Sequence, residues 1–235
     1  MLKRDDAIKT VVKFTTKVDE KKENVGTGFF IHRDDVLDKL YIITASHVAK
    51  GFNNTTIVSM IDKIGGFIVI PLVDLQRGKC IKYHSTADVC AIEVDVSVFN
   101  TLDSGVMLFG TSLIDSKKIT NISRDVELTS IGFPMGLGIG NRFEPLSFRS
   151  HPSSNLISNF SGLQGGYVSD VFILENPACG GYSGCPVIDL GYIVTAVLTQ
   201  SSQTFFYGLI HGTIPDSTGG KMAVVTPAYY ILQII

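Results

Sequence analysis

The chain has 235 residues, 45% hydrophobic and 18% charged, a balance that supplies a large core and excludes a largely disordered protein. Its formal net charge of −2 gives no global basic field with which to recruit nucleic acid. Met1 to Thr10 carries no apolar secretory core, and no apolar run reaches the ~18 residues of a membrane helix, so a cytoplasmic protein that engages neither nucleic acid nor membrane is expected.

Helical periodicity is scarce, and short β-rich runs recur between Gly, Asn, Asp and Ser. In the first half they predict strands over Thr10–Thr15, Gly28–His32, Leu40–Ala45, Thr55–Met60, Gly66–Pro71, Lys79–His84 and Val89–Val94, with a single helical turn over Val48–Gly51. A polar stretch, Asn100–Asn121, reads as a connection. Strands are then expected over Asp125–Gly132, Tyr167–Leu174, Pro186–Asp189, Tyr192–Thr199, Phe205–Ile210 and Lys221–Thr226, and a helix over Ala228–Ile235 after Pro227. Ser153–Gly166, rich in Ser and Gly, reads as a mobile loop. About a dozen short strands at close spacing indicate an all-β sandwich or barrel, or two of them. Cys80, Cys90, Cys179 and Cys185 lack the close pairs of zinc ribbons, so no metal and no cofactor is expected, and reduced thiols are the default.

Three residues stand out by their surroundings. In Asp88-Val89-Cys90-Ala91-Ile92-Glu93-Val94, strand alternation puts Cys90, Ile92 and Val94 on one face, and Asp88 enters on that apolar side. A carboxylate there is costly unless something hydrogen-bonds it. His47 follows an apolar strand and two small residues in Ile43-Thr44-Ala45-Ser46-His47-Val48. Ser183 sits among glycines in Cys179-Gly180-Gly181-Tyr182-Ser183-Gly184-Cys185-Pro186, where the backbone can turn sharply and present free N–H groups. Taken singly, each has a plain structural reading: a strand-capping aspartate, a strand-end histidine, a serine in a tight loop. Taken together, a serine needs a base, the base needs a group that fixes its tautomer, and the oxyanion needs N–H donors. The order His, Asp, Ser supplies all of these, with the first two in the N-terminal half and the third in the C-terminal half.

These blocks resemble the trypsin-like serine peptidases, and within them most of all the HtrA-type domains. Gly26-Thr27-Gly28-Phe29-Phe30-Ile31, Thr44-Ala45-Ser46-His47-Val48, Asp88-Val89-Cys90-Ala91-Ile92, Gly132-Phe133-Pro134-Met135-Gly136-Leu137-Gly138, the nucleophile block and Met222-Ala223-Val224-Val225-Thr226-Pro227 occur in the family's order across nearly the whole chain. The resemblance implies two six-stranded antiparallel β-barrels with a short C-terminal helix, residues 1–105 carrying His47 and Asp88 and residues 106–235 carrying Ser183. It implies a serine endopeptidase with His47, Asp88 and Ser183 as triad, and Gly181 and Ser183 as oxyanion donors. The substrate is a protein or peptide, bound at Pro177, Ala178, Thr195, Ala196, Val197 and Ala223. No charge lies at the mapped pocket residues Pro177, Ala178 and Ala223, so an apolar P1 side chain is expected. His211 reads as a surface-loop residue, with recognition of an acidic P1 side chain as the sharper alternative. Tyr182 stands where digestive relatives carry aspartate, and Cys185 where the family carries glycine. These departures keep open a catalytically impaired binding module, and a latent enzyme switched on by a partner or a fused domain.

Overall fold

The computed structural model describes residues 2–36, 38–162, 166–194, 199–215 and 221–235. The chain is all-β, built on two large, almost wholly antiparallel sheets. The first contains β1 (Val11–Lys17), β2 (Glu23–His32), β3 (Leu40–Thr44), β4 (Ile57–Ile61), β5 (Phe67–Pro71), β6 (Ile81–Tyr83), β7 (Cys90–Glu93) and β8 (Phe109–Gly110). Its order is β5-β4-β1-β2-β3-β7-β6, and β8 lies parallel to β2. The second contains β9 (Leu128–Gly132), β10 (Leu146–Ser150), β11 (Ile157–Phe160), β12 (Ser169–Leu174), β13 (Pro186–Asp189), β16 (Phe205–Pro215) and β17 (Lys221–Pro227), in the order β10-β9-β13-β16-β17-β12-β11. A small hairpin, β14 (Tyr192–Val194) with β15 (Thr199–Ser201), stands apart. The expected six strands per barrel are therefore exceeded, at eight and seven, and neither sheet closes on itself through the described pairings.

Alternation along β2 explains how one strand serves two cores. Phe30 faces the interior of the first sheet with Val12, Phe14, Ile42 and Ile92, while Phe29 and Ile31 face the second sheet. There Phe29 meets Phe206 of β16 and Phe109 of β8, with ring centroids 4.9 and 5.9 Å apart, and Phe109 meets Phe206 at 5.8 Å. Each of these rings is fully buried, a burial that contributes about 1.5–3 kcal/mol apiece. Cys90, Ile92 and Val94 share one core as their alternation requires.

Several expectations need correction. β16 does not stop at Ile210: the pairing register with β17 slips between Ile210 and Gly212, a bulge that absorbs His211 and lets the strand run to Pro215. Gly212 follows the bulge within the strand. Two edge strands were not expected: β11 falls inside Ser153–Gly166, read as a mobile loop, and β10 in a stretch given no strand, each being short with only two apolar residues. The expected terminal helix is a 3₁₀ segment, Ala228–Gln233. Among the described residues, no helix is long and apolar enough to cross a membrane.

Candidate active site

Asp88 is delivered by the turn between β6 and β7. The His84 ring organises that turn: its Nδ1 accepts the backbone N–H of Ala87 at 2.9 Å, and its Nε2 meets Gln233 Oε1 at 2.8 Å. His47 lies on the helical turn Ser46–Ala49, directly after β3. The first N–H groups of any helical turn lack internal partners, and Asp88 Oδ1 takes that of His47 at 2.9 Å. The other carboxylate oxygen lies 2.6 Å from His47 Nδ1. A ring nitrogen that close to a carboxylate oxygen carries hydrogen, so the neutral imidazole keeps its lone pair at Nε2. Asp88 is fully buried and the His47 side chain is 36% exposed. Burial presses the Asp88 carboxyl upward, but contacts from His211 and His47 outweigh it and hold it well below the usual carboxylate range.

Ser183 lies two residues after Gly181, in a turn shaped by two left-handed glycines. Gly181 has φ +85° and Gly184 has φ +86°, and a Cβ at either would collide with backbone, Phe133 carbonyl in one case and Thr27 carbonyl in the other. Thr27 of β2 clamps this turn from the first sheet. Its N–H donates to Ser183 carbonyl at 3.0 Å, and its hydroxyl donates to Gly181 carbonyl at 2.8 Å while accepting Phe133 N–H at 3.1 Å. Met135 N–H donates to Gly180 carbonyl at 2.6 Å, so the trans peptide turns the Gly181 N–H away from Met135. Among the described residues, neither the Gly181 nor the Ser183 N–H donates to any backbone carbonyl. Tyr182 is buried beneath the turn, where its hydroxyl donates to Ser130 carbonyl at 2.7 Å and its ring meets Phe148 edge-on at 5.5 Å. Cys185 is also buried, and that burial pushes its thiol well up, so it stays neutral and packs against Gly132.

A cleft of about 450 Å³ brings the two halves together, with His47, Val48 and Phe52 on one side and Met135, Gly181 and Ser183 on the other. Ser183 Oγ and the His47 ring border the same cleft, with no direct hydrogen bond between them. Ser183, His47 and the Gly181 turn with its unspent N–H donors thus border one opening, and Asp88 lies buried behind His47.

The family profile "Trypsin-like peptidase domain" matches residues 26–196, most of the chain. The chain belongs to the trypsin-like peptidases. Its fold is similar to the active form of Rv3671c protease from M. tuberculosis, with a TM-score of 0.58 at 19% sequence identity, covering 97% of this chain and 80% of that one. Comparison with curated proteins returned no match.

In this trypsin-like peptidase the other sequence-predicted positions are scattered. Pro177 is exposed, Ala178 and Ala223 are buried in the inter-sheet core, and none of the three borders the cleft. Thr195, Ala196 and Val197 lie outside the described residues. His211 is no surface residue: it is 3% exposed on β16, with Nδ1 2.5 Å from Asp88 Oδ2 and its ring 5.3 Å from that of His47. Sequence reasoning missed it because the expected strand ended at Ile210, one residue short, whereas the strand runs to Pro215. It also missed Thr27, whose signal was a hydroxyl between two glycines in an apolar strand. His47, Asp88 and His211 offer nitrogen or oxygen atoms within 4.8 Å of one another, the spacing of a crowded metal site. The 2.5 and 2.6 Å contacts are instead those of hydrogen-bonded or ion-paired groups, well under the ~3.3 Å that Zn–N and Zn–O bonds of ~2.0–2.1 Å impose between tetrahedral ligands.

Proposed function

We propose that this peptidase is a serine endopeptidase working through an acyl-enzyme. Ser183 Oγ attacks the scissile carbonyl, and its proton passes to His47 Nε2. The carbonyl oxygen, now anionic, is met by the N–H groups of Gly181 and Ser183. When the C–N bond breaks, His47 returns the proton to the departing amine. Water, deprotonated by His47, then hydrolyses the Ser183 ester and restores the free hydroxyl. Asp88 holds the Nδ1–H tautomer of His47 throughout and stabilises its transient positive charge. The substrate is a protein or peptide chain laid along the cleft.

The observation that carries this reading is the double grip of Asp88 on His47, ring and backbone together, on the wall of the cleft that Ser183 borders. Two features favour an active enzyme over an impaired binding module. Tyr182 and Cys185, the departures that motivated the module, are packed away in the core, and the donors of the turn are unspent. Replacing Ser183→Ala tests the reading: peptide cleavage and labelling by a fluorophosphonate are both expected to vanish. Labelling that persists in the variant would sink it. Labelling of the wild type only when a partner or a longer form of the protein is added would identify the latent form.

A further inference from the structure

The proposed roles of His47, Asp88 and Ser183 leave a buried histidine unexplained. His211 Nδ1 lies 2.5 Å from Asp88 Oδ2, without the alignment of a hydrogen bond, and among the described residues no other group partners that nitrogen. At that distance from a carboxylate oxygen, Nδ1 must carry hydrogen. A single oxygen therefore faces two histidine Nδ1 atoms, at 2.6 and 2.5 Å. The β-bulge in β16 aims the side chain there, and the next residue, Gly212, lies against Ser183, with a Cβ built on it 4.0 Å from Ser183 Oγ.

The geometry points to His211 as a positioning residue that shares Asp88 with His47 and thereby governs how readily Asp88 supports positive charge on His47. The inference rests on the reading of His47, Asp88 and Ser183 as the catalytic set. Around His211 the titratable groups are few. Asp88 and His47 face it from the first sheet. Tyr167 presents its ring edge-on at 6.4 Å, and Lys50 Nζ lies 4.8 Å over that ring. The thiols of Cys90 and Cys185 nearby are pushed up by burial and stay neutral. One anion thus stands between two imidazoles. A proton on each would put two cations with ring centroids 5.3 Å apart against a single negative charge, so a charged His211 opposes a second charge on His47.

Two substitutions separate this role from packing. His211→Asn keeps an N–H near the site of Nδ1 but takes no proton, and His211→Leu keeps bulk without a donor. The Asn variant is expected to hold its optimal kcat/KM within about tenfold of wild type, with KM unchanged and the acidic limb of the profile about one pH unit higher. The Leu variant is expected to lose about a hundredfold or more in kcat at unchanged KM, and the Asn variant thus rescues it. A profile of the Asn variant that superimposes on wild type, or a Leu variant as active as wild type, would overturn the inference. A second measurement needs no turnover. In the inert Ser183→Ala protein, two low-field imidazole N–H proton resonances are expected, titrating together, and one when His211→Asn is added. A single low-field resonance, unaffected by the added substitution, also overturns it. If wild type cleaves nothing and takes no label, the peptidase reading has failed, and the resonances still decide on the shared carboxylate.

Discussion

At the scale of single residues, the site depends on a carboxylate that is buried yet charged. Burial alone would drive Asp88 toward its neutral form, and the imidazoles of His211 and His47 reverse that balance. The consequence for stability follows from the sign of the shift. With its folded-state value below its unfolded one, Asp88 contributes stability that is fully present above the ordinary carboxylate range, near 3.8, and is lost as pH falls through the folded value. Asp88→Asn removes the anion and leaves both histidines facing an amide, at a cost expected to be about 3–5 kcal/mol at neutral pH, as for one partner lost from a buried pair. Urea unfolding of the two proteins at pH 7, 5 and 3 measures this. The gap is expected to begin closing below about pH 4, so that it is smaller at pH 3 than at pH 5. A gap that stays the same or widens between pH 5 and 3 would mean that Asp88 is not held as an anion by its neighbours.

At the scale of elements, strand β2 of the first sheet reaches across to hold the nucleophile turn of the second. Thr27 spends its hydroxyl twice, on Gly181 carbonyl and Phe133 N–H, and its own carbonyl accepts the Thr44 hydroxyl at 2.6 Å. Thr27→Val keeps the shape and strips both hydroxyl bonds, leaving the half-buried Gly181 carbonyl and the buried Phe133 N–H without those partners. A loss of about 1–3 kcal/mol is expected, together with a fall of tenfold or more in kcat as the Gly181 peptide loses its anchor. Thr27→Ser restores the hydroxyl and is expected to recover most of both, which steady-state kinetics beside thermal melting would show. A Val variant with full kcat would mean that the turn holds itself. This clamp was only half legible in the chain. Gly26-Thr27-Gly28 marked a strand by its resemblance to the family's, but no local rule says which distant turn its hydroxyl meets. The same limit hid His211. The glycines beside Ser183, the apolar run into His47 and the alternation around Asp88 are local signals, and each was read from its own neighbourhood. The bulge that carries His211 inward is a register event between β16 and β17, and register is decided by pairing rather than by sequence within either strand. Edge strands β10 and β11 escaped for a related reason, since a strand with one partner and one wet face needs little apolar alternation to form.

At the scale of the whole molecule, the two sheets behave as one body because their apolar faces are continuous. Phe29 and Phe109 from the first sheet close on Phe206 from the second, and the surrounding cluster includes Leu128, Ile131, Val187 and Leu209. The cleft lies along this same junction, so the geometry between His47 and Ser183 is only as firm as the packing between the sheets. Phe206→Ala would leave a cavity between Phe29 and Phe109 and is expected to cost about 3–5 kcal/mol. If the sheets are one cooperative unit, that loss lowers a single melting transition seen alike by far-ultraviolet circular dichroism and by tyrosine fluorescence, which is usable because the chain has 8 Tyr and no Trp. Activity measured well below the transition should fall as well, through kcat, because the loosened junction lets base and nucleophile drift from attack geometry. Two separated transitions in the variant, with only the second sheet destabilised, would show instead that the sheets fold independently and that the cleft is assembled by docking of finished halves.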